Sequence, residues 1–332
     1  MVPNVVQLEW RNRVDEVLAA QARALLEAAL AADGVWPVSD HVRLRLRHGE
    51  PTDPSAAAEP EPTSDGAHLL ALDAMGQLAG YAHLEEPADG PAVAELVVHP
   101  LLRRRGMGAA LVEKLIGRVS ADPRVAPSAD RLLVWAHGEH PAALRLARRY
   151  GFRRARELWR MRCDLDRPGV GADPLAVPKL PDGVRLRPFR VGQDEAAFVE
   201  VNNRAFSWHP EQGRWDVREV ELREAEPWFD PEGFLLAVDE QDRILGFHWT
   251  KVHEAEGDQG GAPIGEVYVL GVDPDEHGRG LGRALTQAGL RYLHSRGLNR
   301  VMLYVEATNA GAIALYERMG FQRWDVDVQF AW

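Results

Sequence analysis

Alternating apolar and polar positions in two parts of the chain predict a pair of β-hairpins. HLLALDAMGQLAGYAHLEE, from His68, and FLLAVDEQDRILGFHWTKVHE, from Phe234, each contain an alternating run, a polar turn and a second alternating run. Upstream of each hairpin the spacing becomes helical. Apolar residues share one stripe over 14–32, and the segment after the strand VRLRPFR predicts a helix capped by Asp194. Each half therefore begins with a strand or short extended piece, a helix and a hairpin.

The order of elements after the hairpin also occurs twice. A strand, a His/Asp-Pro turn, Gly-x-Gly and an amphipathic helix appear in LVVHPLLRRRGMGAALVEKLI, from Leu96, and in LGVDPDEHGRGLGRALTQAGL, from Leu270. A further strand, a short helix and a Gly-Phe pair follow, ending at Phe152 and Phe321. The order β-α-β-β-β-α-β-α-β predicts an α/β fold with mixed strand directions, because hairpin strands are antiparallel and a strand-helix-strand crossover is parallel. The chain is therefore a duplicated domain.

Proline and glycine mark the boundary between the copies. The segment DRPGVGADPLAVPKLPDG, over 166–183, contains too many of both residues to continue a helix or a central strand. We predict a first domain over 1–165, a linker over 166–183 and a second domain over 184–332. A similar segment over 49–66 lacks large apolar residues and predicts a mobile loop in the first domain.

Composition narrows the functional classes. The chain has 332 residues, of which 27% are charged and 45% hydrophobic, as expected for two globular domains. One cysteine excludes a disulfide scaffold and a cysteine metal site, and no apolar run approaches the roughly 20 residues of a membrane span. The net charge of −11 argues against nucleic acid as a partner. The first residues lack a secretory signal pattern, so we expect a cytoplasmic protein. We also expect a monomer without membrane, nucleic-acid or metal partners.

The Gly-x-Gly turns suggest a phosphate site. HGRGLG, from His277, and RRRGMG, from Arg103, each lie between a strand and a helix. Without Cβ atoms the backbone can direct several N–H groups to one point, where the helix N-terminus adds about half a positive charge. A pyrophosphate is the natural ligand, although one such turn alone is also common as plain turn geometry. Neither turn has the pattern of a P-loop or a Rossmann site.

Two motifs together resemble the GCN5-related N-acetyltransferase superfamily. Its turn reads Arg/Gln-x-x-Gly-x-Gly/Ala, and Asn-x-x-Ala-x-x-x-Tyr-x-x-x-Gly-Phe follows downstream. Here the second copy has HGRGLG, with His277 where the superfamily favours Arg or Gln, and NAGAIALYERMGF, from Asn309. The resemblance implies two tandem acetyltransferase domains, each a mixed, mostly antiparallel sheet flanked by helices, and acetyl-CoA as co-substrate.

Three further runs resemble those of tandem superfamily members that acetylate the cysteinyl amine of cysteinyl-glucosaminyl-inositol. They are VNNRAFSWHPEQG, GFHWTKVH and GEVYVLGVDP. The resemblance implies that Glu266 is the general base, directly or through a water, and that Tyr316 is the acid for the departing thiolate. From the residues alone, Glu266 could instead be an exposed carboxylate at a strand end, and Tyr316 a core residue.

The resemblance also implies the CoA contacts. The strand before the turn splays from its neighbour in the superfamily, so a backbone N–H of Leu270 or Val272 should bind the thioester carbonyl, with Gly271 suited to a bulge. The expected contacts in the second copy are Leu270, Gly271, Val272, His277, Gly278, Arg279, Gly280, Leu281, Gly282, Arg283, Asn309, Ala310, Gly311, Ala312, Ile313 and Ala314. In the first copy they are Leu96, Val97, Val98, Arg104, Arg105, Gly106, Met107, Gly108 and Ala109.

The copies differ where proton transfer is expected. Aligning them places Ala92 opposite Glu266 and Ala147 opposite Tyr316. We therefore predict that the second domain is catalytic and that the first binds acetyl-CoA without contributing chemistry. Arginines 103–105 could add charge to that site or remain solvated.

The acceptor contacts are given only by the resemblance. They are Asp40, Glu211, Lys251, Glu266 and Tyr304. Asp40 could equally cap a helix. Two other functions remain open at this stage: an N-acetyltransferase acting on another small amine, such as an amino sugar, or on a protein N-terminus, and a CoA-binding regulatory module without turnover.

Overall fold

The computed structural model describes residues 7–48, 66–87, 90–121, 130–166, 173–209, 212–254 and 262–332. These residues divide into two units, the first containing 7–158 and 325–332 and the second containing 159–324. Residues 49–65 of the predicted loop and 167–172 of the predicted linker lie outside the described residues. No helix of the described part is long and apolar enough to cross a membrane.

The described residues form twelve strands and eight α-helices. In chain order they are β1 (Gln7–Arg11), α1 (Glu16–Asp33), α2 (Asp40–His48), β2 (Ala67–Leu72), β3 (Leu78–Glu85), β4 (Ala92–Val98), α3 (Met107–Ser120), β5 (Leu132–Ala136), α4 (Pro141–Arg149), β6 (Arg153–Asp164), β7 (Arg185–Pro188), α5 (Glu195–Ala205), α6 (Val217–Glu224), β8 (Phe234–Val238), β9 (Ile244–His253), β10 (Ile264–Val272), α7 (Leu281–Ser295), β11 (Arg300–Glu306), α8 (Ala310–Arg318) and β12 (Gln322–Ala331).

The sheet of the first unit has the strand order β1-β2-β3-β4-β5-β12. Strands β1 to β4 are antiparallel neighbours, β4 and β5 are parallel, and β12 is antiparallel to β5. The parallel pair is the one joined by a helix, α3, as the crossover rule requires. This unit includes the last strand of the chain from Asp325 onward.

The second unit repeats this topology. Its strand order is β7-β8-β9-β10-β11-β6, with antiparallel pairing from β7 to β10 and parallel pairing of β10 with β11 around α7. Part of the predicted linker packs on this unit, because the side chains of Gln287 and Arg291 on α7 donate to the carbonyl oxygens of Asp173 and Leu175 at 3.1 and 2.7 Å. Residues 173–183 are therefore fixed against a helix along part of their length.

The crossover helix α3 shows how the sheet and helices form one core. Met107, Leu111, Leu115 and Val119 recur at helical spacing and are all buried against the sheet. Burial of each large apolar side chain stabilises the fold by about 1.5–3 kcal/mol. The helix N-terminus is thereby held at the end of β4, where the glycine turn lies.

Two local features differ from the sequence predictions. Each unit has an additional helix, α2 or α6. The sequence of α2, DHVRLRLRH, alternates like a strand, yet it forms a helix with Val42, Leu44 and Leu46 buried. Asp194 precedes α5 as predicted but its side chain makes no capping hydrogen bond. Its carboxylate instead pairs with the buried Arg187 at 2.6 and 3.0 Å.

Candidate active site

Both glycine turns have the backbone geometry of an anion site. Gly280 precedes α7 with φ of 81°, and Gly106 precedes α3 with φ of 89°, and neither helix has a side-chain cap. The first N–H groups of a helix have no intrahelical partners, so they remain available to a ligand. Arg104 has the left-handed conformation that Gly278 has in the second unit, with φ of 64° and 79°. The turn geometry is therefore the same in both copies.

The first residue of each turn binds the end of the preceding strand. His277 Nε2 lies 3.1 Å from the carbonyl oxygen of Val272. In the first unit, Arg103 Nε donates to the carbonyl oxygen of Val98 at 3.1 Å, and its guanidinium also pairs with Asp33. Both side chains fasten the turn to its strand, which explains how His277 can replace the Arg or Gln of the superfamily motif.

A gap opens between two strands beside each turn. The parallel ladder of β10 and β11 ends at Val267↔Leu303, whereas β10 continues to Val272 in its pairing with β9. In the first unit the ladder of β4 and β5 likewise ends at Glu95↔Trp135. The later residues of β10 thus have no β11 partner within the described ladders. This splay frees the backbone at Leu270 and Val272, as the thioester-binding prediction requires.

A β-bulge distinguishes β10 from β4. The β9–β10 register shifts between Val267 and Val269, whereas the β3–β4 pairing runs from Gly80↔Val98 to Glu85↔Val93 without a shift. The bulge inserts one residue into β10. A bulge at Gly271 is therefore wrong.

The bulge changes which residue of the first unit corresponds to Glu266. Glu266 on β10 pairs with Lys251 on β9. The residue of β3 that matches Lys251 in the hairpin is Glu85, and Glu85 pairs with Val93 on β4. Val93 rather than Ala92 is thus its counterpart, and the site is apolar in either alignment. The glycine at position 271 has a different explanation, because a Cβ there would lie 2.6 Å from the ring of Phe247.

Glu266 lies in a buried, polar corner of the second unit. The residue is 5% exposed, so it is not an exposed strand-end carboxylate. Its Oε2 is 2.6 Å from His253 Nε2. On the neighbouring strand, the Lys251 ammonium lies 4.3 Å from the Trp228 ring centroid and 4.9 Å from that of Tyr268. A carboxylate and a cation over aromatic faces therefore share this part of the sheet.

Tyr316 lies on α8 in the core of the second unit. Its ring is buried in the core, with its centroid 5.7 Å from that of Phe321. Burial raises the pKa of its phenol to about 12. The group is therefore protonated near neutral pH, as an acid must be. The helix begins at Asn309, whose side-chain oxygen accepts from the N–H of Ala312 at 3.1 Å.

The residues predicted to bind the acceptor have different placements. Lys251 and Glu266 are directly opposite on β9 and β10. Tyr304, 39% exposed, lies on β11 two residues from Met302, the partner of Glu266. Asp40 is the first residue of α2 in the first unit and pairs with Arg43 at 2.6 Å. Glu211 lies outside the described residues.

A cavity of about 760 Å³ adjoins the glycine turn of the first unit. It is lined by the end of β4, the turn, α3, β5 and α4, and Ala147 is part of its wall. Of the CoA contacts predicted for this copy, all but Arg105 line it: Leu96, Val97, Val98, Arg104, Gly106, Met107, Gly108 and Ala109.

Comparison with known proteins places the chain in a family. The acetyltransferase (GNAT) family model matches residues 198–321, and the acetyltransferase (GNAT) domain model matches residues 64–154. A mycothiol acetyltransferase of Saccharopolyspora erythraea is 54% identical over 92% of this chain and 99% of its own length. One from Geodermatophilus obscurus is 49% identical over 96% of each chain. The chain belongs to the mycothiol acetyltransferase family. Each GNAT match lies within one unit, so the two units are its two GNAT domains.

Solved structures share this fold. A GCN5-related N-acetyltransferase from Sphaerobacter thermophilus has a TM-score of 0.63 at 26% identity and covers 98% of this chain and 95% of its own. A tandem GNAT protein from the clavulanic acid biosynthesis pathway has a TM-score of 0.63 at 21% identity and covers 98% of each chain. The prediction of two tandem domains, each with a mixed, mostly antiparallel sheet and flanking helices, is confirmed.

Sequence reasoning missed a buried ionic cluster in the first GNAT domain. His137, on the cavity wall, lies between two carboxylates, with Nε2 3.1 Å from Glu95 Oε2 and Nδ1 3.0 Å from Asp327 Oδ2. Asp327 also accepts from the N–H of Gly138 at 2.8 Å, and Glu95 accepts from that of Ser39. A charged residue inside the apolar run AVAELVV was the available signal.

The cluster is charged. Burial opposes ionisation of His137, but the carboxylates of Asp327 and Glu95 outweigh it and raise its pKa to about 10. Burial likewise opposes ionisation of Glu95, but hydrogen bonds from His137 and Ser39 lower its pKa overall. The Glu95 carboxylate and the His137 imidazole are thus both ionised near neutral pH, and they hold β4, β5 and β12 together.

Proposed function

We propose that this protein transfers the acetyl group of acetyl-CoA to the cysteinyl amine of 1D-myo-inositol 2-(L-cysteinylamino)-2-deoxy-glucopyranoside, that is, cysteinyl-glucosaminyl-inositol. This reaction is the last step of mycothiol biosynthesis. The observation that carries the proposal is the buried Glu266 on the strand that splays beside a glycine turn, in a chain 54% identical to a mycothiol acetyltransferase.

The second GNAT domain binds the co-substrate through its backbone. N–H groups of the turn over 278–283 hold the pyrophosphate, where the dipole of α7 favours negative charge. The start of α8 and the end of β10 hold the pantetheine arm. In the gap beside β11, the N–H of Leu270 or Val272 donates to the thioester carbonyl and stabilises the charge that develops on its oxygen during attack.

Two side chains then move protons. Glu266 accepts a proton from the acceptor ammonium, directly or through a water, and so generates the nucleophilic amine. The amine attacks the thioester carbon and forms the C–N bond. As the C–S bond breaks, Tyr316 donates its phenolic proton to the CoA sulfur, and the second proton lost by the nitrogen restores the phenol. Lys251 and Tyr304, which belong to β9 and β11 beside Glu266, bind the acceptor together with Glu211.

The first GNAT domain binds acetyl-CoA and performs no transfer. Its cavity, turn and splayed strand supply the binding geometry. Val93 and Ala147 stand at the positions that the proposed base and acid have in the second domain. We place the enzyme in the cytoplasm, as a monomer that needs no metal, membrane or nucleic acid.

Release of free CoA tests the acceptor. The full-length protein is incubated with acetyl-CoA and, in parallel, with cysteinyl-glucosaminyl-inositol, an amino sugar or a peptide with a free N-terminus. The proposal predicts rapid CoA release with the first acceptor only. Faster release with either of the others would assign a different acceptor, and no release with any of them would favour a CoA-binding module without turnover.

A further inference from the structure

The imidazole of His253 forms a hydrogen bond with Glu266, the proposed base. His253 ends β9, and its Nε2 lies 2.6 Å from Glu266 Oε2. The Glu266 side chain is 7% exposed, whereas that of His253 is 24% exposed. A hydrogen bond of this length to a carboxylate is charge-assisted and directional. One oxygen of Glu266 is therefore held by His253.

Holding one oxygen has a chemical consequence. A carboxylate has two oxygens, and a donor fixed on Oε2 restricts rotation of the group about its last bond. Oε1 is then left to meet the amine or the water between them. The orientation of the base thus depends on this contact.

The first domain provides an independent comparison. When the two hairpins are aligned, Lys251 of the second domain corresponds to Glu85 of the first, and His253 corresponds to Pro87. By the same alignment and the strand pairing, Glu266 corresponds to Val93. Both members of the pair are absent from the domain that lacks a base. A histidine needed only to complete the end of this strand has no reason to be absent together with the carboxylate.

We propose that His253 is a positioning residue for the acetyl transfer: its Nε2–H donates to Oε2 of Glu266 and keeps the base oriented toward the acceptor amine. This inference rests on the proposed role of Glu266. The proton removed from the amine moves to Glu266 and from there to solvent, and His253 forms no covalent bond.

Other ionisable groups lie near this pair and do not replace the contact. Lys251 is directly opposite Glu266 but its ammonium rests over the rings of Trp228 and Tyr268. The other ionisable side chains of β11 are Arg300, Tyr304 and Glu306, and Glu306 lies 3.7 Å from His209. Arg223 donates to the Tyr268 hydroxyl at 2.8 Å.

Two substitutions separate positioning from structure. His253→Leu removes the donor, whereas His253→Gln keeps an amide N–H at a similar reach. We expect His253→Leu to lower kcat about ten- to a hundredfold, as for loss of a hydrogen bond to a charged group, with an unchanged KM for acetyl-CoA. His253→Gln should recover most of that loss. His294→Leu, an exposed histidine on α7, is the matched control and should keep wild-type kcat.

A double-mutant cycle decides whether His253 acts through Glu266. If it does, His253→Leu costs almost nothing further in the Glu266→Gln background. Additive losses, or wild-type kcat in His253→Leu while Glu266→Gln is inactive, would overturn the positioning role and leave the base assignment intact. Wild-type turnover by Glu266→Gln would refute the proposed base itself. If His253→Leu fails to fold, His253→Gln against His253→Asn, whose amide is one methylene shorter, gives the same comparison.

Discussion

The two GNAT domains share their backbone features and differ in the side chains to which we assign proton transfer. Both have a left-handed glycine before a helix, a side chain that fastens the turn to its strand, and a splayed parallel pair. Only the second has Glu266 and Tyr316, in place of Val93 and Ala147. Backbone N–H groups do not depend on particular side chains, so a domain can keep this geometry without the side chains that carry out the reaction.

The first domain also has a feature of its own, a buried ionic cluster. Where the second has a bulge and a buried polar corner, the first has an unbulged strand and the ionic cluster of Glu95, His137 and Asp327. One histidine thus fastens three strands in the first domain, whereas in the second His253 contacts a single carboxylate.

The largest effect expected is that of Glu266→Gln, which keeps the shape of the side chain and removes the proton acceptor. We expect kcat/KM to fall by about 10²–10⁴ near neutral pH, the usual contribution of general base catalysis. The loss should shrink at alkaline pH, where the acceptor amine is already deprotonated. A pH–rate profile of both proteins measures this. A defect of equal size at every pH would make Glu266 a binding residue.

Tyr316→Phe should have the next largest effect. It removes only the hydroxyl and keeps the ring that packs near Phe321, so stability should hardly change. CoA thiolate is a fair leaving group without an acid, so we expect kcat to fall about ten- to a hundredfold with little change in either KM. Steady-state kinetics at saturating substrates test this, and wild-type kcat would return Tyr316 to a purely structural role.

Gly280→Val and Gly106→Val form a matched pair in the two turns. A Cβ at either position would meet no atom within 4 Å, so the cost arises from positive φ and the shifted N–H groups and not from crowding. We expect Gly280→Val to raise KM for acetyl-CoA about tenfold, and Gly106→Val to leave kcat and this KM unchanged. Equal loss of turnover from both folded variants would contradict catalysis by the second domain alone.

His137→Gln should affect stability and leave turnover nearly unchanged. Removing one partner of a buried ionic cluster costs about 3–5 kcal/mol. A raised histidine pKa contributes stability that is full below its unfolded value of about 6.5 and is lost as the pH rises through about 10. The lowered pKa of Glu95 contributes above its usual value and is lost in acid. Denaturant unfolding should therefore separate wild type from variant most at pH 5–6.5 and least above about pH 10. A constant difference would contradict the charge assignment.

The sequence predicted the repeat, both turns and the α/β class because each depends on local patterns that occur twice. It could not predict the cluster, since Asp327 reaches His137 only through the pairing of β12 with β5, which brings distant segments together. The strand-like alternation of α2 was overridden by its packing on α1. The bulge near Tyr268 changes the β9–β10 register by one residue, so alignment on the turn prolines Pro100 and Pro274 placed Ala92 instead of Val93 opposite Glu266.

Counting bound acetyl-CoA in a catalytically disabled chain tests the division between the domains most directly. Equilibrium dialysis of labelled acetyl-CoA with full-length protein carrying Glu266→Gln and Tyr316→Phe should give close to two molecules per chain, while CoA release with acceptor falls to background. One bound molecule per chain would contradict binding by the first domain. Turnover near the wild-type rate would contradict the assignment of all chemistry to the second.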